Sequence, residues 1–532
     1  MPLQIAPVEL HPQGEVHDVC AAAARAVLSD PLTVDTLGRR FHVEWDPHAP
    51  VTPLGQLVFF AQFLAVGGLF ADWVRACPLR FTSPNAPELT DLLGTITLAV
   101  LAGQNRYAHV TGLRADSVNP QGLGMRKVCS EDSVRRAFAD ADPEACAAWQ
   151  SGALQQTWRA ALRWPWILDL DVTVKPIYGQ QEGAEVGYNP HKPGRPSHTY
   201  HTLFLRHLRL VLDVEVRPGK QHAAAHSRDN LWRVWESLPK ECRPWLVCGD
   251  SSFGNESLMS DGEARGQKYL FRLRRSAGVK QLITLLERQG GWQCGVNGWS
   301  GLEGRLQLSG WSCKRRVVVL RRPKERTPNV PTDPRALPWP ALAVSGPPLE
   351  YEYQVLVTNL TEELLSVSGL YAQRADAENV YDELKNQWGW GGFTTKDLLR
   401  CQVAARNVAL IYNWWNLFVR CAEPERPREA VTSRPLLLCA VGRVIESGRQ
   451  ITLRLTSTHA EAARAQRLLT GVSLFLSGLL NTAEQLTPAA RWDRIWDRIL
   501  SPWLRPAGML PGPSGCKPPL DFVPIPASVS RR

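Results

Sequence analysis

The sequence predicts an α/β protein: a mixed sheet flanked by helices, interrupted by a β-rich insertion, and bounded by helical N- and C-terminal regions. Three observations predict it. Short apolar, β-branched segments recur between residues 167 and 275, a capped helical segment lies among them, and longer stretches of helical periodicity stand before and after. With 532 residues, 44% of them hydrophobic, and 20 Trp, the chain is long enough for several domains around a large core.

Residues 1–155 read as mostly helical. The longest uncharged run, PLGQLVFFAQFLAVGGLFA from Pro53 to Ala71, contains Gln56 and Gln62 and is followed by Asp72, so it predicts a buried helix and not a membrane span. SEDSVRRAFADAD (130–142) opens with Ser130 and Ser133 as caps before Arg135 and Arg136. It reads either as a DNA-reading helix or as an ordinary amphipathic one.

Strand signals fill residues 156–280. ILDLDVTV (167–174) is apolar around its acids, YHTLFLRHLRLVLDVEVRPG (200–219) reads as two strands, PWLVCGDSSFG (244–254) stops at an acid and a turn, and KYLFRLRR (268–275) is another strand. SRDNLWRVWESLPK (227–240) is the helix among them, capped by Ser227. Residues 281–350 switch to Gly-rich turns with β-type alternation and then a Pro-rich loop, which reads as an insertion. YEYQVLVTNL (351–360) returns to the sheet, and LYAQRADAENVYDELKNQWG (370–389) follows as one helix in the 351–425 segment. Residues 426–505 are helical in pattern after a linker-like EPERPREAVTSRP, and 506–532, rich in Pro and Gly, predict a disordered tail.

Lys plus Arg exceed Asp plus Glu by 61 to 51, and the excess is clustered. One group holds Lys192, Arg195, Arg206, Arg209, Arg217 and Lys220, a second Arg272, Arg274 and Arg275, a third Lys314, Arg315, Arg316, Arg321, Arg322, Lys324 and Arg326. Such clusters make a polyanion the leading partner, nucleic acid ahead of membrane. The 12 cysteines never form a CxxC pair, and the N-terminus lacks a basic segment followed by an apolar one. Both point to reduced thiols in cytoplasm without export.

On the 370–389 helix, Tyr371, Arg374, Glu378 and Lys385 fall within about 60° of one another at about 3.6 residues per turn. A polar stripe of this kind is either a solvated face with i,i+4 ion pairs or the wall of a site. Asp171 sits inside a buried-type strand and Asp250 where another stops, and each carboxylate needs a cation, hydrogen bonds or an exposed sheet edge. With Glu378 they form a hard-oxygen set suited to Mg²⁺ or Mn²⁺, not to zinc. Two such ions, roughly 3.5 to 4 Å apart, serve in-line displacement at phosphorus.

Tyr371, Arg374, Glu378 and Lys385 reproduce a Tyr-x2-Arg-x3-Glu-x6-Lys signature; LDLDVTV carries an Asp-x-Thr at Asp171, and LVCGDSSFG places Asp250 before a turn. YGQQEGAEVGYNPHKPGRPSHTYH (178–201) adds a fourth segment. Together these motifs resemble the DDE transposases of bacterial insertion sequences. The resemblance implies a ribonuclease-H-like core in two halves, 156–280 and 351–425, with the β-rich insertion between them. It also implies a DNA-binding N-terminal region over 1–155 and a dimerisation region over 426–505. Asp171, Asp250 and Glu378 are then the catalytic and metal-binding acids for two Mg²⁺ or Mn²⁺ ions, while Tyr371, Arg374, Lys385, Lys192 and Arg195 contact DNA. The implied reaction cuts element ends in double-stranded DNA carrying terminal inverted repeats and joins them to target DNA. A homodimer on DNA in the bacterial cytoplasm, associated with the nucleoid, is the implied setting, with no membrane.

Some positions have rivals. Asp169 faces the same way as Asp171, and Thr173 favours Asp171 by completing Asp-x-Thr. Ser252 stands where the motif more often has Gly, and Glu383 lies about 120° off the Glu378 stripe. Trp292, Trp299 and Trp311 read as core residues, or, as the resemblance implies for the insertion, as platforms for a flipped base. His198, His201, His207, His222 and His226 lack HExxH spacing and read as surface or DNA-facing residues. Two other functions compete: a catalytically silent descendant that only binds DNA, and a ribonuclease-H-like nuclease without strand transfer.

Overall fold

The structure, a computed structural model, describes residues 32–46, 48–220, 223–295, 298–324, 350–426 and 428–504. The predicted tail, most of the Pro-rich loop, His222 and Arg326 lie outside the described residues. Among the described residues three short strands come first: β1 (Leu32–Asp35) and β2 (Arg40–Val43) pair as an exposed hairpin, and β3 (Val51–Thr52) follows. The single helix predicted over Pro53–Ala71 is two, α1 (Leu57–Val66) and α2 (Leu69–Arg75), bent by 68°. Gly67 and Gly68 break it, and Gly68 takes φ 69°, a left-handed backbone that glycine adopts without steric cost. Among the described residues no single helix is long and apolar enough to cross a membrane; this bent pair passes together by length and composition, but Phe60, Phe63, Leu69 and Trp73 are buried in the core.

Helices α3 (Leu89–Leu101), α4 (Asn119–Gly122), α5 (Glu131–Arg136) and α6 (Pro143–Trp158) complete the N-terminal part. Ser130 caps α5 by accepting from the Ser133 N–H at 3.2 Å, as its sequence predicts. Arg135 and Arg136 both pair with Asp132 of the same helix.

The main sheet then forms from β4 (Ile167–Pro176), β5 (Glu185–Val186), β6 (Pro196–Leu205), β7 (Leu210–Pro218), β8 (Leu246–Gly249), β9 (Lys268–Arg272), β10 (Gln293–Cys294), β11 (Ser300–Leu306), β12 (Arg315–Pro323) and β13 (Tyr351–Thr358). Its ten strands run in the order β10-β11-β12-β13-β9-β8-β4-β6-β5, with β7 also paired to β6. Only β4–β8 and β8–β9 are parallel. Parallel neighbours need a crossover, and α7 (Ala223–Ser237) leads into β8 while α8 (Glu256–Ala264) joins β8 to β9. The β-rich segment, entered through α9 (Ala277–Gln289), is built into this sheet: β12 pairs with β13, which pairs with β9.

The polar-stripe segment is also two helices, α10 (Leu364–Ala372) and α11 (Ala375–Asn386), separated at Gln373 and Arg374. Next come α12 (Leu398–Ala422), α13 (Ala430–Leu437), the hairpin β14 (Gly442–Ser447) and β15 (Gln450–Leu455), α14 (Ala462–Leu480) and α15 (Pro488–Leu504). Both terminal regions thus hold strands where the sequence predicts helix, and β3, β14 and β15 form one small sheet that ties them together. GRVIESGRQITLRL alternates with period two around Gly448 at φ 63°, which is a hairpin pattern.

Alternation divides the main sheet into two faces. Leu168, Leu170, Val247 and Phe271 join the large core shared with α6 and α12. Ile167, Leu246, Cys248 and Leu270 point the other way and meet Leu364, Val367, Leu370 and Tyr371 of α10 in a smaller cluster. The second face carries the acids.

Candidate active site

Register places the first two acids. Asp169 pairs with Cys248 across the parallel β4–β8 ladder, and Leu170 with Gly249, so the next positions are Asp171 and Asp250, side by side where β8 ends. Strands in register point equivalent residues to one face, here the α10 face. Asp171 pairs with Thr202 of β6 on its other side. The Asp250 carboxylate accepts from the Ser252 N–H at 2.9 Å, and its carbonyl accepts from the Phe253 N–H at 3.1 Å. Ser at 252 therefore supports the turn through its backbone N–H.

Asp169 is excluded from this edge. Its carboxylate is fully buried and accepts two hydrogen bonds from Arg206, from Nε at 2.6 Å and from Nη2 at 2.5 Å. Arg206 also donates through Nη1 to the Leu370 carbonyl at 2.7 Å, fastening the end of α10 to β4. Asp171, by contrast, keeps part of its side chain open to solvent.

Arg374, at the break between α10 and α11, is buried and reaches both remaining acids: Nη2 lies 3.6 Å from Asp171 and Nη1 3.8 Å from Glu378. Both exceed hydrogen-bond length, Nη2 is 3.4 Å from the Leu170 carbonyl, and Nε has no acceptor. One incompletely paired guanidinium thus faces the acids. Burial pushes the Asp171 carboxyl up to about 6, with Arg374 opposing the rise and Asp250 and Asp169 adding to it.

Glu378 is 71% exposed and meets Asp171 only by way of Arg374. Among the described residues, no three His, Cys, Asp or Glu side chains are gathered as a metal cage. The chemistry of the donors nevertheless fits a hard divalent ion: two neighbouring carboxylates and a third on an exposed side chain one turn from Arg374. Glu383, the rival, points into the core, where its Oε1 accepts from Trp388 Nε1 at 2.9 Å and the Ala430 N–H at 2.8 Å.

The other predicted contacts divide into groups. Lys385 is half-buried on α11; burial lowers its pKa, and Asp171 and Asp382 oppose that. Tyr371 is almost enclosed within the smaller cluster, its hydroxyl pushed up to about 12 chiefly by burial. Lys192 and Arg195 are exposed in the loop before β6 and lie over the Tyr178 ring, 5.0 and 4.9 Å from its centroid.

Several expectations need correction. His198 and His201 are buried strand residues: His198 Nε2 contacts the Glu182 carbonyl at 2.8 Å, and His201 Nδ1 contacts Ser227 Oγ at 3.0 Å. Their places on a strand buried on both faces outweigh their polarity. The third basic cluster is largely neutralised, with Arg315 paired to Glu256 and Glu263, Arg316 to Glu303, Arg321 to Glu287, Arg322 to Glu352 and Lys324 to Glu350. Trp292, Trp299 and Trp311 each carry an arginine over the ring, from Arg321, Arg322 and Arg315. The hold of Arg206 on Asp169 escapes sequence reasoning; its only signal is an arginine at the end of an otherwise apolar strand, LFLR, beside a strand with two same-face acids.

A family model described as Transposase DDE domain group 1 matches residues 79–474. The chain belongs to that family. The match spans every strand of the main sheet and all three acids of this DDE transposase domain. Among solved structures, the cryo-electron microscopy structure of a piggyBac transposase synaptic complex with hairpin DNA is similar at 10% sequence identity and a TM-score of 0.37, covering 84% of this chain and 86% of that one. No curated protein matches the chain.

Proposed function

We propose that this DDE transposase domain protein is the transposase of an insertion sequence, cutting element ends and joining them to target DNA by two-metal phosphoryl transfer. One observation carries the reading: Asp171 and Asp250 occupy adjacent positions on one face of neighbouring parallel strands, and Arg374 reaches from Asp171 to Glu378. The core is ribonuclease-H-like in this reading. Its support is the run β7-β6-β4-β8-β9, antiparallel over the first three strands and parallel over the last two.

DDE transposase domains generally use divalent metals. Asp171, Asp250 and Glu378 would hold two Mg²⁺ or Mn²⁺ ions, which when bound supply activation of an attacking hydroxyl and stabilisation of the leaving oxygen. The chain's own residues do the rest. Arg374 holds the Asp171 and Glu378 carboxylates near one another, Arg206 keeps Asp169 out of the donor set, and Lys385 stands on the same helix to meet a phosphate. Tyr371 positions α10 against the sheet as well as the backbone of the DNA. No protein nucleophile is required. Lys192 and Arg195 extend the DNA contact, and two copies of the chain act together on paired ends, in the bacterial cytoplasm on the nucleoid.

Incubation of the full chain with Mg²⁺ and duplexes made from the DNA that flanks its reading frame tests this. Cuts at the element boundary and joined products support the proposal. Binding without cutting at any Mg²⁺ or Mn²⁺ concentration overturns it in favour of a silent DNA-binding protein, and cutting without joined products in favour of a nuclease.

A further inference from the structure

The row that holds the acids does not end at Asp250. Cys248 pairs with Leu270 and Gly249 with Phe271 across the parallel β8–β9 ladder, so the position beside Asp250 is Arg272. Asp169, Cys248 and Leu270 form one same-face row, and Asp171, Asp250 and Arg272 form the next at the open edge. Arg274 follows two residues later, just past the end of β9, and Phe271 and Leu273, on either side of Arg272 in the chain, are buried in the large core. Arg272 and Arg274 are exposed.

Their pairing sets them apart. All four arginines of β12 have an acid, yet among the described residues neither Arg272 nor Arg274 has a carboxylate within ion-pair distance. Arg274 Nη2 lies 3.5 Å from Ser252 Oγ, in the turn that Asp250 opens. Burial raises the pKa of the Tyr371 hydroxyl, Arg374 and Arg272 both lower it, and Asp250 raises it, so Arg272 is close enough to act on the same group as the acids. Two solvent-facing guanidinium groups without a carboxylate partner among the described residues therefore stand beside the acids, Arg272 at the end of β9 and Arg274 just past it. A guanidinium fork matches the two non-bridging oxygens of a phosphodiester.

We propose that Arg272 and Arg274 form a phosphate clamp that grips the DNA backbone one or two phosphates from the bond placed at Asp171 and Asp250. The clamp rests on the transposase reading above. It explains how a strand of DNA is held beside a cluster of carboxylates that repels it: the cations are set in the same row, offset by one strand.

The test uses the full chain in EDTA, with duplexes from the DNA flanking the reading frame, and measures binding against salt. Every phosphate that the protein no longer neutralises makes the slope of log K against log salt shallower by about 0.9, so Arg272→Gln with Arg274→Gln is expected to flatten it by about 2 relative to the unaltered chain. A scan of single neutral methylphosphonates is expected to weaken binding of the unaltered chain at one or two positions near the cut and to leave the double variant indifferent there. Thermal melting checks that the double variant is folded, which exposed, acid-free positions predict. An unchanged slope and unchanged methylphosphonate pattern in a folded double variant overturn the clamp, provided that the unaltered chain cuts the same DNA in a parallel reaction with Mg²⁺. If the unaltered chain neither binds nor cuts, the transposase reading itself falls.

Discussion

Arg206 grips both carboxylate oxygens of Asp169 with the pair fully buried, two residues along the same strand face from the partly open Asp171. Two acids that sequence spacing leaves equivalent are thereby given different work. One is the floor of the site, and the other is its edge.

Replacement of Asp169 by Asn is therefore expected to destabilise the chain by about 3–5 kcal/mol, the usual cost of breaking a buried ion pair, because Arg206 is left charged and enclosed. Asp171→Asn is expected to leave stability unchanged or to raise it, since it removes a carboxylate whose ionised form burial disfavours. Denaturant titration of both variants checks the contrast, and DNA cleavage should vanish in Asp171→Asn. Equal stability losses would remove the distinction drawn between the two acids.

Glu378 and Glu383 offer a parallel case on one helix. Glu383→Ala leaves the Trp388 indole N–H and the Ala430 N–H without their acceptor, which is expected to cost about 1–3 kcal/mol for each buried donor. Glu378→Gln touches an exposed side chain and is expected to leave the melting temperature unchanged while abolishing cleavage. A cleavage-competent Glu378→Gln would remove Glu378 from the donor set.

These contrasts mark what is legible in the sequence. Strand periodicity locates β4, β6, β7, β8, β9 and β13, and motif spacing reaches Asp171 and Asp250, because both signals are local. Three things are not local. The break that separates Tyr371 from Glu378 sits in a run with uninterrupted helical periodicity, and only the anchoring of Leu370 by Arg206 and the burial of Arg374 account for where the chain turns. The hairpin β14–β15 hides within a region of helical pattern, although its alternation is plain once a partner strand, β3, is known from the far end of the chain. Charge clusters show which residues are basic but not which are paired, since the acids that neutralise Arg315 lie more than 50 residues away on α8.

That pairing makes Arg315 the counterexample to the clamp. Burial favours the neutral form of Glu256, but hydrogen bonds from Arg315, Ser312 and Ser260 overcome this and hold its pKa down to about 2. An acid with a depressed folded pKa stabilises the fold above its ordinary value, near 4.5, and loses that contribution as pH falls through its folded value. Arg315→Gln is thus expected to lower stability at pH 7, with the deficit shrinking between pH 4.5 and 2. Its DNA-binding salt slope should equal that of the unaltered chain. A flattened slope would return Arg315 to the DNA-contacting set.

Lys175 supplies the opposite sign. It lies four residues beyond Asp171 on β4, buried, with Nζ donating to the Tyr200 hydroxyl at 3.2 Å and to the Gly392 carbonyl, and with no carboxylate partner among the described residues. Burial drops its pKa to about 8 from an ordinary 10.5. Below pH 8 the ammonium is charged in both the folded and the unfolded chain, so its full desolvation cost is present. Between pH 8 and 10.5 the folded chain releases the proton while the unfolded chain keeps it, so stability attributable to this group rises with pH. Lys175→Met, compared with the unaltered chain by urea titration, is expected to be relatively most stable below pH 8 and to lose roughly 3 kcal/mol of that relative advantage by pH 10.5. The lysine fastens the Gly392 loop that follows α11 to the strand bearing Asp171, so the same variant should cut DNA more slowly even where it is the more stable protein. A pH-independent difference between the two proteins would mean that Lys175 keeps its proton in the folded chain as far up in pH as in the unfolded one, and that burial does not lower its pKa.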